Sequence, residues 1–157
     1  MKKIYIHSLI ATFLTAVLLF INVVSVSAYD KNEVINLVNS QRINEHLPPF
    51  KTDKKLDLVA EKKVNDMMQK QYWSHLSPSG EMVWDLMDQL SYKYMAAGEN
   101  LAKGFTDDKS MVDAWMNSPL HRANILATQF DKVGVAQKKG QFEGKETEVV
   151  VLLFSKQ

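Results

Sequence analysis

The sequence predicts an α+β fold: a three-layer α-β-α sandwich around a small, mostly antiparallel central sheet. Two observations lead there. Apolar residues recur at helical spacing over most of the chain between Val34 and Trp115. The C-terminal run 148–154 is instead β-prone and almost wholly apolar. A strand with no polar face is covered on both sides, so helices must flank the sheet on each face. Connections are short and no internal repeat is visible, which fits a single domain.

The elements follow in order. Asp30 with Glu33 three residues on reads as a capping box. Val34, Leu37, Val38 and Ile43 then share a helical face to about Glu45, where His46-Leu47-Pro48-Pro49 stops the helix. Thr52 or Asp53 caps a second helix, in which Leu56, Val59, Ala60, Val64, Met67 and Met68 keep the spacing to about Gln71. Residues 74–80 form a loop punctuated by Pro78 and Gly80. Residues 81–90 read as a third helix turning Met82, Val83, Leu86 and Leu90 inward. Gly98 reads as a break before Glu99. Asp107 or Asp108 caps a fourth helix through Trp115, and Pro119 ends it or opens a short following helix. Val133-Gly134-Val135-Ala136 is a short β-like run, with turn material at Lys139-Gly140 and Gly144-Lys145 before the apolar strand 148–154.

The first residues are set apart from this pattern. Lys2 and Lys3 precede an almost unbroken apolar stretch ending in Val26-Ser27-Ala28. Small residues there suit signal peptidase, so residues 1–28 are expected to be a signal peptide cleaved after Ala28, and 29–157 the single folded domain. The alternative is an uncleaved anchor, because the stretch approaches the length of a bilayer span. Removing the leader takes away two of the 19 basic residues and none of the 18 acidic ones, so the net charge passes from +1 to −1. With no basic block, no nucleic acid is expected as partner. No membrane span is expected after cleavage, and the location is extracellular, with surface association open. There are no cysteines. Thiolate metal sites and thiol catalysis are excluded, and stability rests on the core.

Three segments put titratable groups beside turn signals: Trp73-Ser74-His75-Leu76-Ser77-Pro78, Gly98-Glu99-Asn100-Leu101-Ala102, and the stretch from Trp115 through Ser118-Pro119-Leu120-His121-Arg122 to Leu126. Two imidazoles and a carboxylate are a familiar ligand set for zinc-like ions. The spacings are long, and no H-E-x-x-H, G-x-S-x-G, P-loop or dinucleotide signature accompanies them. Taken singly, each residue has a plain alternative: a loop histidine packed on aromatics, a polar helix-start residue, a solvated carboxylate. Asn100 and Asn124 suit local side-chain to backbone bonds. Trp73, Trp84 and Trp115 suit core or cleft wall.

The order S-H-x-S-P, G-E-N-L-A, W-M-N-S-P-x-H-R-A-N-I-L, G-V-A and an apolar last strand resembles the CAP superfamily. That group takes in cysteine-rich secretory, antigen 5 and pathogenesis-related proteins, and the pattern here is most similar to its cysteine-free bacterial branch, the SCP domains. The resemblance implies the same three-layer sandwich with a central cleft lined by His75, Glu99 and His121. It also implies that some relatives hold a divalent metal, such as zinc, through the two histidines, here His75 and His121. The chain departs from the pattern twice. Asn117-Ser118 stand where many relatives carry a second acid, for which Asp113 is a candidate replacement. Leu120 stands where the bacterial pattern has glycine, and is expected to sit in a helix and pack into the core.

Three functions are compatible with this reading. The leading one is a non-enzymatic secreted module binding a cell-wall component, lipid or protein through the cleft. The second is a hydrolase in the same cleft: either a metal at His75 and His121 with Glu99 as general base, or a serine among Ser74, Ser77 and Ser118 acting with histidine and glutamate. The third is a structural surface or coat protein.

Overall fold

A computed structural model describes residues 30–157; the segment 1–28, expected to be a signal peptide, lies outside the described residues. The chain runs α1 (Lys31–Asn44), β1 (Lys51–Thr52), α2 (Lys54–Lys70), α3 (Val83–Gln89), β2 (Ala96–Lys103), α4 (Asp108–Asn117), α5 (Pro119–Leu126), β3 (Lys132–Phe142) and β4 (Lys145–Lys156). The strands form one sheet in the order β1-β3-β4-β2. Among the described residues β1 and β3 pair in parallel, while β3–β4 and β2–β4 are antiparallel.

The apolar β4 explains the layering. Val150, Leu152 and Phe154 enter a core with α1, α4 and α5, while Val149, Val151 and Leu153 enter a second core with α2 and α3. Successive side chains leave opposite faces of a strand, so one run of six apolar residues feeds both layers. Against the second layer, α2 lies very close to β3. A Cβ placed on Gly134 would sit 2.5 Å from the Leu56 carbonyl carbon, so the contact requires glycine.

The carboxylates of Asp30, Asp53 and Asp107 accept backbone N–H bonds as helix caps, but the expected box with Glu33 does not close, because the Asp30 N–H donates to Asp108. Pro119 opens α5 at its first turn. Four further readings are corrected. First, Gly98 breaks nothing: it lies inside β2, with the Phe130 ring where a side chain would stand. Second, Lys139-Gly140 belongs to β3. The turn is the two-residue Glu143-Gly144 link, both residues with positive φ, as a type I′ hairpin requires. Third, α3 is shorter than 81–90, with Met82 and Leu90 as its half-buried flanks. Fourth, Leu120 does lie in a helix, but it is 81% exposed and does not pack into the core. The first turn of α5 faces solvent, and only Ile125 of that helix is buried.

Candidate functional site

The cleft is built where the end of α2, strand β2 and the start of α5 converge. Its lining is Trp73, Ser74, His75, Leu101 and His121, around a volume of about 380 Å³. A wider depression of about 590 Å³ lies between α2 and β3, but its lining carries neither histidine nor carboxylate. Of the tryptophans, Trp73 forms a cleft wall, Trp115 is buried, and Trp84 is half-exposed away from the lining.

His75 arrives on the loop after α2. That helix ends at Gln71 in the left-handed region, and the Ser74 hydroxyl then accepts the Leu76 N–H at 3.1 Å. The His75 ring lies with Nδ1 3.1 Å from Glu99 Oε2. Glu99 projects from β2 and its side chain is 4% exposed. A carboxylate only accepts, so Nδ1 carries the proton of this bond and the neutral ring keeps a lone pair at Nε2. The Glu99 bond raises the His75 pKa above the ordinary imidazole value, partly opposed by burial. The other oxygen, Glu99 Oε1, is buried without a partner.

His121 sits in the first turn of α5. Its Nδ1 lies 2.9 Å from the Ser118 hydroxyl. Ser118 is the N-cap residue of α5, yet its side chain contacts this ring instead of capping the helix. Burial, and then the charge of His75, lower the His121 pKa. The helix is fastened to the sheet by amides. Asn100 donates to the His121 carbonyl at 3.1 Å, and Asn124 donates to the Glu99 carbonyl at 3.2 Å and to Asn100 Oδ1 at 2.9 Å. These bonds span 21 to 25 residues, so both asparagines bridge elements instead of making the local bonds expected of them. Trp115 adds a bond to the Leu101 carbonyl at 3.0 Å.

The structure thus brings together His75, Glu99 and His121. It does not bring in Asp113, which pairs with Lys109 on an exposed face. Nor does a Ser–His–Glu chain run through one ring among the described residues. Glu99 bonds to His75, whereas Ser118 bonds to His121. Ser77 is tied to Ser79 and the Glu81 N–H.

Two buried cations, one beside the cleft and one at the far end of α5, were not singled out from the sequence. Lys63 of α2 is 1% exposed and donates to the carbonyls of His75 (2.7 Å) and Ser74 (3.2 Å) and to the Tyr72 hydroxyl (3.2 Å). Burial lowers its pKa, against the opposing charges of Glu99 and Asp66. Arg42 of α1, also 1% exposed, donates to the carbonyls of Pro48, Ile125 and Ala127 and stacks 3.7 Å over the Phe50 ring. A sequence signal existed for both. Arg42 continues the Val34, Val38 stripe at four-residue spacing, and Lys63 stands midway between Val59 and Met67.

As a ligand set the site offers two imidazoles, each fixed through Nδ1, and one buried carboxylate oxygen without a partner. Among the described residues no group of three or more His, Asp and Glu side chains is arranged to enclose an ion. A divalent ion bound here would take at most the two imidazoles as side-chain ligands and leave the rest of its shell to solvent.

Comparison with known proteins agrees with this architecture. The model of the cysteine-rich secretory protein family, CAP, matches residues 35–154. The Bacillus subtilis (strain 168) protein YkwD is 42% identical over 111 residues, 71% of this chain and 43% of that protein. An extracellular SCP-domain protein of Bacillus anthracis str. Ames superposes with a TM-score of 0.70 at 28% identity, over 80% of this chain and 40% of the other. An outer surface protein of Borrelia burgdorferi gives 0.71 at 22% identity, over 82% and 96%, a likeness of fold. The chain spans less than half the length of the Bacillus relatives. No helix among the described residues is long and apolar enough to cross a membrane. With the family model covering the helices, the sheet and all three cleft segments, the chain belongs to the cysteine-rich secretory protein (CAP) family, in a form that carries no cysteine.

Proposed function

We propose that this protein is a secreted CAP-domain binding module, and that its cleft holds a divalent metal such as zinc through His75 and His121. The observation that carries this reading is the anchoring of both rings by Nδ1: His75 to Glu99 and His121 to Ser118. The Glu99 carboxylate holds the His75 proton on Nδ1 and leaves Nε2 for a ligand, while the Ser118 hydroxyl, which can donate or accept, fixes the His121 ring and leaves its Nε2 open when it accepts from Nδ1–H. The lowered pKa of His121 keeps that ring neutral, as a metal ligand must be. A bound ion would supply a Lewis-acidic contact for an electron-rich group of the partner. Glu99 orients His75, Trp73 and Leu101 give the cleft apolar walls, and the partner is a cell-wall component, a lipid or a protein. Secretion rests on the leader, 1–28, and on the extracellular character of the Bacillus anthracis relative.

Binding is favoured over hydrolysis because the Glu99 oxygen nearest a histidine is engaged with His75, and the serine nearest a histidine meets the other ring. Saturating zinc should raise the melting temperature, since a ligand of the folded state alone stabilises it by about 2.7 kcal/mol at a hundredfold excess over Kd. The double substitution His75→Ala with His121→Ala should remove the rise. A wild-type protein indifferent to zinc sinks the metal reading. Retention on purified peptidoglycan or on lipid vesicles identifies the partner class, and retention on neither leaves a protein partner.

A further inference from the structure

We propose that Lys63 is the positioning residue of the cleft: its buried ammonium fixes the backbone at Ser74 and His75 so that the His75 ring meets Glu99 with Nδ1 and presents Nε2 to the ligand. The inference deepens the metal-binding reading and rests on it for its functional meaning.

Ammonium groups are rarely buried without a carboxylate partner, because desolvation is costly. Lys63 is 1% exposed, yet no carboxylate lies within ion-pair distance of it among the described residues. Its three donors go instead to the Tyr72 hydroxyl and to the carbonyls of Ser74 and His75. All three acceptors belong to the short segment that carries His75 out of α2. The shortest bond, 2.7 Å, is to the carbonyl of His75 itself. Behind it, Tyr72 donates to Asp66 at 2.8 Å, and Asp66 pairs with Lys70, so the clamp is braced on the same helix. His75 is then held at two points: its carbonyl by Lys63 and its ring by Glu99. Trp73, packed edge-on against Phe142, anchors the start of the loop; with the Lys63 bonds released, the Ser74–His75 backbone beyond it can pivot about the Glu99 contact and the ring bond loses its fixed base. The Ser74–Leu76 turn is local and does not tie the loop to the helix.

The test is the tautomer of His75, read from imidazole nitrogen shifts near pH ~9, where the rings are neutral, without metal. In the wild type the proton should reside on Nδ1. Lys63→Met should return His75 toward the mixed tautomers of a free ring, leave the His121 signals in place, and weaken zinc binding by about tenfold. A His75 that keeps its Nδ1 proton in this variant overturns the proposal, whatever happens to stability. Should the Met variant not fold, Lys63→Gln, a neutral side chain with fewer donors, is expected to give a smaller shift in the same direction, and no shift overturns the proposal as well. Because the tautomer is read without zinc, a wild type that ignores zinc would defeat the metal reading while leaving this one to be judged separately.

Discussion

The two histidines reach the cleft from different kinds of structure, and each is fastened in its own way. His121 rides on a helix whose first turn is bonded to β2 through Asn100, and whose last turn is bonded to β2 through Asn124 and gripped by Arg42 through the carbonyls of Ile125 and Ala127. His75 rides on a loop gripped at its own carbonyl by Lys63. Both grips use a buried cation on backbone carbonyls, so geometry is set without a second buried charge. The difference is reach. Arg42 joins α1, the 48–50 turn and α5, and is part of what closes one core. Lys63 holds one segment of a few residues. The α5 helix is anchored by bonds at both its ends, whereas the backbone between Trp73, which packs edge-on against Phe142, and Ser77 is tied to α2 through Lys63.

The comparison makes an ordered set of predictions. The largest effect is on the helix wall. Arg42→Met strands the carbonyls of Pro48, Ile125 and Ala127, and should cost on the order of 3 kcal/mol of global stability, at about 1–3 kcal/mol per buried orphan group. A shift in the denaturation midpoint measures it, and a loss below about 0.5 kcal/mol would erase the proposed difference between the two cations.

Next is the loop wall, and its effect should depend on pH. The folded-state pKa of His75 is raised, so the stabilisation from its pairing with Glu99 is full below the ordinary imidazole value and is lost as pH rises through the raised one. The pKa of His121 is lowered, so it acts in reverse: protonating the unfolded chain costs stability as pH falls below the ordinary value. Glu99→Gln removes only the first contribution. Its stability deficit should therefore be greater near pH ~5.5 than near pH ~9, as read by thermal melts across that range. A deficit that is flat with pH would mean that Glu99 acts through packing alone. On the metal-binding proposal the same protons would compete with the ion, so zinc affinity should strengthen as pH rises past the His75 pKa.

The smallest effect is expected at Leu120, which lies beside His121 yet is turned to solvent. Leu120→Ala should stay within about 0.5 kcal/mol of wild type; a larger loss of stability would show that the first turn of α5 is packed after all.

Much of this was legible in the residues. Asp30, Asp53 and Asp107 announce their helices because an N-cap carboxylate has a local job, and β4 announces the sandwich because six consecutive apolar residues have no other use in a domain of this size. Strand β2 was not legible. Its sequence, AAGENLAK, has no β-branched residue, and it is a strand because β4 supplies its pairing. The three cleft residues were found through the motif order, not through spacing, since they lie on a loop, a strand and a helix that only tertiary packing brings together. The two clamps went unread because a charged residue within a helix is ordinarily solvated, although their place on an apolar stripe marks them.

The run from Val149 to Phe154 has a consequence for the chain before it folds. Six apolar residues without charge or proline have the composition that seeds strand pairing between molecules. Nor does polarity say which face should point which way, because both faces are greasy and a slip by one residue would exchange the occupants of the two cores. The Glu143-Gly144 link answers both problems at once. A two-residue turn with both φ values positive delivers β3 to β4 as a local partner in a single alignment. The hairpin therefore works as a built-in safeguard, giving this strand a neighbour from its own chain before it can find one elsewhere.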